Sequence, residues 1–207
     1  MSALRSWGLA GAVLGLTLLV GKGAAAQVAV ERLEPAVTWD GFVTTEGSAV
    51  RPEEDRFAFS FVADYAHHPL VIGDADGNYV DSVVSHRVGM QLAASATLVG
   101  PLALGVGLPA FVAQDGAANP SGAGLGKLRL VPKLRLLDDR ESLGLALLAE
   151  VRAPTNTGDF SGTDGFEVVP KVAVDHRFRS GIRVGFNVGA VLREKSQVQN
   201  VSAGSEL

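Results

Sequence analysis

Residues 127–136 read KLRLVPKLRL, and residues 143–152 read LGLALLAEVR. In the first stretch Leu128, Leu130, Leu134 and Leu136 alternate with Lys127, Arg129, Lys133 and Arg135. A helix would scatter those cations around its circumference. A strand, whose successive side chains point to opposite faces, puts the leucines on one side and the charges on the other. After a polar turn at Asp138–Ser142, Leu143, Leu145, Leu147, Ala149 and Val151 return along the same face, with Glu150 and Arg152 opposed to them. This is an antiparallel hairpin with one oily and one charged surface.

The same period of two recurs on either side of it. Phe57, Phe59, Phe61, Ala63 and Tyr65 oppose Arg56, Ser60 and Asp64, and Val88, Met90, Leu92, Ala94, Ala96 and Leu98 oppose Arg87, Gly89, Gln91, Ala93, Ser95 and Thr97. Gly100-Pro101 turns the chain into Leu102–Ala110. Downstream, Val168, Val172 and Val174 oppose Lys171 and Asp175, and Ile182 to Leu192 alternate with Arg183, Gly185, Asn187, Gly189 and Arg193. The reading is all-β, an antiparallel up-and-down meander of seven strands. Pro132 and Pro170 fall inside strands, where each lacks a ladder donor, so bulges or irregular pairing are expected there.

The connections alternate between short (Gly100-Pro101, Asp138–Ser142, Arg177–Gly181) and long (Ala66–Ser85, Ala113–Gly124, Thr155–Phe166, and onward from Glu194). In a meander, alternate connections lie at one end, and this asymmetry is that of an outer-membrane barrel with tight periplasmic turns and longer outer loops. Strands of about 11 residues at roughly 3.3 Å each, tilted by about 40°, project to roughly 28 Å, enough for the apolar band. The oily face then meets lipid. Lys127, Arg129, Lys133, Arg135, Glu150, Arg152, Lys171, Asp175, Arg183 and Arg193 are the predicted lumen-lining residues. In a wide barrel these cations would favour anionic solutes; in a narrow one they pair across the lumen and plug it, as the side-chain-filled interiors of small barrels favour. A soluble periplasmic barrel holding an apolar ligand is the alternative in which the two faces exchange roles. Aromatic residues for an interfacial girdle are few.

Composition limits the other possibilities. With 47% hydrophobic and 19% charged residues the chain of 207 is too apolar for a disordered tail. The absence of Cys excludes disulfides and thiol chemistry, and a net charge of −4 argues against nucleic acid as a partner. Residues 1–26 read as a secretory signal: Arg5 precedes the apolar run Trp7–Val20, and Ala24-Ala25-Ala26 precedes Gln27. That run is too short for a membrane-spanning helix. Residues 27–55 then form an N-terminal extension and 56–207 the barrel, with outer-membrane lipid as the partner. Seven strands fall short of the even number usual in bacterial barrels, and an eighth would be starting at Gly204-Ser205-Glu206-Leu207. The expectation is a truncated barrel, closed by at least one further strand or by another barrel chain.

Motif chemistry is sparse, and neither catalysis nor a cofactor is expected. His67-His68 beside Asp64 is a weak metal candidate, because adjacent residues of an extended chain diverge. Asp74, Asp76 and Asn78 resemble an oxygen-rich calcium loop but lack its downstream Glu and read as a turn. Ser85 and His86, with Asp64 or Asp81 as orienting acid, would serve an outer-membrane lipid hydrolase, a reading that adjacency alone does not support. Gly122–Gly126 has no following Gly-Lys-Ser/Thr and is not a nucleotide loop.

The segments QVAVERLEP, DYAHHPLV with DADG, VGLPAFVAQDG to GLGKLRLVPKLRL, RAPTNTGDFSGTDGFEVVPK and NVGAVLRE together resemble the N-terminal barrel of OmpA-family outer-membrane proteins of myxobacteria and related bacteria. The resemblance implies further strands and a C-terminal domain that binds peptidoglycan, so peptidoglycan is a partner only where such a domain exists. Lys127 stands where the family's GLGD-like turn has an acid.

Overall fold

The computed structural model describes residues 30, 33–52, 56–74, 76–140, 143–162 and 165–193, and the backbone alone of 196–198 and 201–203. Every regular element among them is a strand: β1 (Phe57–Gly73), β2 (Tyr79–Val99), β3 (Leu102–Asp115), β4 (Gly124–Leu125), β5 (Leu128–Leu137), β6 (Leu143–Ala153), β7 (Glu167–Arg177), β8 (Arg183–Gly189), β9 (Leu192–Arg193), β10 (Ser196–Val198) and β11 (Val201–Ala203). The main sheet runs β1-β2-β3-β5-β6-β7-β8, with β4 beside β3 and β9 beside β7, while β10 and β11 pair separately. All pairings are antiparallel, and the sheet curls into a half-barrel, the meander expected from the alternation. The signal segment 1–26 lies outside the described residues.

One connection differs from expectation. Ala66–Ser85 is not a long loop: β1 and β2 run on for 17 and 21 residues and close in a turn over Asp74–Asn78. The Asp74 carboxylate ties that turn, accepting from the amides of Asp76 at 3.0 Å and Asn78 at 2.8 Å and from Asn78 Nδ2 at 3.0 Å. These bonds to the ionised form, above all those from Asn78, hold its carboxyl below the usual range. The alternation is hidden there because the register slips between His67 and Leu70 and again before Val71, with His68 at a φ of 47°. The hairpin therefore projects past the rim reached by β5, where Gly107 pairs with Arg129.

The prolines behave as their missing N–H dictates. Across Pro132 the β5–β6 ladder has a gap but keeps its register on both sides, Leu130 facing Val151 and Lys133 facing Leu148. Opposite Pro170 the neighbouring strand breaks: β8 ends with Gly189 facing Lys171, and pairing resumes in β9, where Leu192 faces Val168.

The two faces of the sheet divide as a lipid-facing barrel would. Phe59 is 84% exposed, Leu147 44% and Phe186 55%, whereas Glu150 on the concave side is fully buried. Soluble domains bury their large apolar residues and expose their charges. Here the apolar cluster on the concave side is small (Val37, Ala93, Val131, Ala146, Leu148 and Ala173), and the other buried residues mix apolar side chains such as Val84, Phe111 and Val169 with many polar and charged ones.

Candidate functional site

The concave face is filled by the chain's own N-terminal segment, residues 33–52. Small residues of the sheet make room for it. A Cβ on Gly105 would lie 2.8 Å from a Val37 methyl, and one on Gly185 would lie 2.7 Å from the Phe42 ring. Above Gly185, the Arg183 guanidinium sits 4.8 Å from the centre of the same ring. The segment is folded on itself before it meets the sheet: Ala36 donates its amide to Val43 at 3.0 Å, Phe42 donates to Thr45 at 2.7 Å, and the Glu46 carboxylate accepts from the amides of Val37 at 2.6 Å and Thr38 at 3.0 Å. Asn187 of β8 clamps Glu46 from both sides, accepting from its amide at 2.8 Å and donating to its carbonyl at 2.9 Å.

All ten residues predicted to line the lumen fall on this face, and the structure sorts them into clusters. Glu150 binds Arg129 Nε at 2.7 Å, Arg152 Nε at 2.7 Å and Lys171 Nζ at 2.6 Å. Arg129 also donates to the Pro35 carbonyl and to Gln91 Oε1, each at 2.8 Å, and Arg152 pairs with Glu34 at 2.7 Å. A second cluster joins Lys133, Arg183, Asp40 and Asp175: Lys133 and Arg183 both pair with Asp40, Arg183 also pairs with Asp175, and Asp175 accepts from the Ser48 amide at 3.0 Å and hydroxyl at 2.6 Å. Lys127 and Arg193 meet at Glu167, at 3.0 and 3.9 Å. Arg135 donates to the Val50 carbonyl at 2.6 Å and pairs with Asp138 at 2.7 Å. Burial of so many charges is tolerable only when each is paired and hydrogen-bonded.

The acids that complete these clusters are largely ones the alternation does not reveal. Glu34 and Asp40 come from the extension, Glu167 sits at the first position of β7, and Arg51 brings a cation from the extension to Asp139. A sequence signal existed, because the predicted sheet face carries many more cations than acids and the extension supplies carboxylates.

The remaining candidates resolve differently. Asp74 spends its oxygens on its own turn. His86 turns its Nδ1 toward Tyr65 and His67, while the Ser82 hydroxyl lies 2.8 Å from Nδ1 of a different histidine, His68. The Ser85–His86 pair is thus not assembled as a dyad, since neighbours on one strand point to opposite faces.

Comparison with known families matches residues 44–207 to the model of the family described as "Putative MetA-pathway of phenol degradation". The match supports a barrel family and not specifically the OmpA family that the motifs resemble. No curated protein and no solved structure compared with the chain matches it.

Proposed function

The chain belongs to this phenol-degradation family, and we propose that within it the protein is a non-catalytic outer-membrane β-barrel with a structural or passive porin-like role, its lumen closed by residues 33–52. The observation that carries this reading is the sheet's reversed polarity: Leu130, Leu147 and Phe186 point outward while Glu150 and Asp175 are buried. Water would penalise that outer surface and lipid would not. A soluble periplasmic barrel would leave the same row of leucines and phenylalanines hydrated, so the exposed face favours the membrane. Spanning strands must also have no free edge, so β1 and β8 require further strands, from the rest of the polypeptide or from another barrel chain.

Fractionation tests the residence. The protein should sediment with the outer membrane, require detergent for release and shift in gel mobility on heating; release as a soluble monomer by osmotic shock overturns the proposal. Leu147→Arg sharpens the test. Leu147 lies near the middle of β6 and is 44% exposed; on a lipid-facing position near the midplane the change costs about 2–4 kcal/mol of unfolding free energy, and on a water-facing position close to none.

A further inference from the structure

Beyond the barrel reading, the projecting β1–β2 hairpin brings together side chains that the sequence separates by nearly twenty positions. His67 and His86 face each other in the ladder, and His86 in turn faces Asp115, at the last residue of β3. This row lies well past the rim reached by β5 and so outside the spanning part of the sheet. The Nδ1 atoms of His67 and His86 are 3.3 Å apart, and the rings are 4.9 Å apart between centroids and tilted by 36°. The Tyr65 hydroxyl lies 2.6 Å from the same His86 nitrogen. Two lone-pair nitrogens meet at that distance only if one carries a proton or if a cation lies between them. Nitrogens each about 2.0 Å from a tetrahedral ion stand roughly 3.3 Å apart.

We propose that His67 and His86 form a surface site for a divalent transition ion of the zinc type, ligated through both Nδ1 atoms, with Tyr65 as the adjacent oxygen donor and the remaining positions open to water. Imidazole suits such ions, and the two rings come from paired strands, so the spacing is set by the ladder rather than by flexible loops. Among the described residues no three His, Asp or Glu side chains converge on one point, so this is a two-imidazole site and not a closed structural one. His68, whose ring is 4.0 Å from that of His67, is engaged through its Nδ1 with Ser82 instead. The other titratable groups beside the site are Tyr79, 5.9 Å from the His68 ring, and Asp115 across from His86.

The test is zinc titration of the full chain in detergent by calorimetry, with cobalt(II) as the spectroscopic probe. We expect one zinc per chain, a cobalt visible band of tetrahedral intensity, and release of both ions as pH falls through the histidine range. His67→Ala and His86→Ala should each weaken zinc binding on the order of tenfold or more. His68→Ala, in the same bulge, and His176→Ala, on β7, should leave it within about twofold and so show that the fold tolerates histidine loss. Binding by the wild type no tighter than by the His67→Ala/His86→Ala double variant overturns the proposal, as does equal weakening by His176→Ala.

Discussion

Glu150→Ala should lower the stability of the barrel by about 3–5 kcal/mol, because it strips the shared counter-ion from three cations that remain on the buried face. Arg129, Arg152 and Lys171 all converge on this carboxylate, which is fully shielded from solvent. They do not lose equally. Arg152 keeps Glu34 at 2.7 Å and Arg129 keeps the Pro35 carbonyl, whereas among the described residues Lys171 pairs with Glu150 alone. Lys171→Met alone should therefore cost much less than the loss of Glu150, and Lys171→Met added to Glu150→Ala should recover part of the deficit. The measurement is the urea midpoint of the heat-modifiable gel transition. An unchanged midpoint for Glu150→Ala would mean that these charges are hydrated, and the assignment of the sheet's two faces would fail with it.

Legibility in the sequence followed the regularity of the backbone. On each side of the Asp138–Ser142 turn, from Lys127 to Leu136 and from Leu143 to Arg152, a period of two made both strands and both faces visible, and the observed ladder pairs Leu134 with Leu147 and Arg129 with Arg152 as that pattern requires. Between Ala66 and Ser85 the bulge at His68 moves the phase of the alternation, so two long strands read as a loop. This is also why the His67–His86 pairing was invisible: adjacency in sequence suggested His67 with His68, while register, which is a property of the folded pair, selects His86. The extension was the other gap. Residues 33–52 have no periodicity because their amides are satisfied by carboxylates such as Glu46 and Asp40 rather than by a ladder. Its role was encoded in charge balance: a surplus of buried cations on the sheet must be neutralised from somewhere, and the extension brings Glu34 to Arg152 and Asp40 to Lys133 and Arg183.

Removing residues 33–52 should convert a closed interior into a conducting one. In the intact chain Val37, Phe42 and the Asp40 carboxylate occupy the concave face against Gly105, Gly185, Lys133 and Arg183. Without them Lys133 has no carboxylate, Arg183 retains only Asp175, and Arg135 loses the Val50 carbonyl. The exposed lining is then net basic, so reconstituted protein should show a rise in single-channel conductance on the order of tenfold, with anions preferred, since rings of Arg and Lys select for negative solutes. Gly105→Leu provides the same test in a chain of full length. Its side chain takes the space of the Val37 methyl groups, so it should loosen the segment and raise conductance by a smaller factor. Unchanged conductance in both variants would show that the interior is sealed by the sheet's own side chains. A cation-preferring channel would contradict the charge assignment itself, because the cations that lose a partner in the deletion, Lys133, Arg135, Arg152 and Arg183, outnumber the acids that do, Asp139 and Asp175.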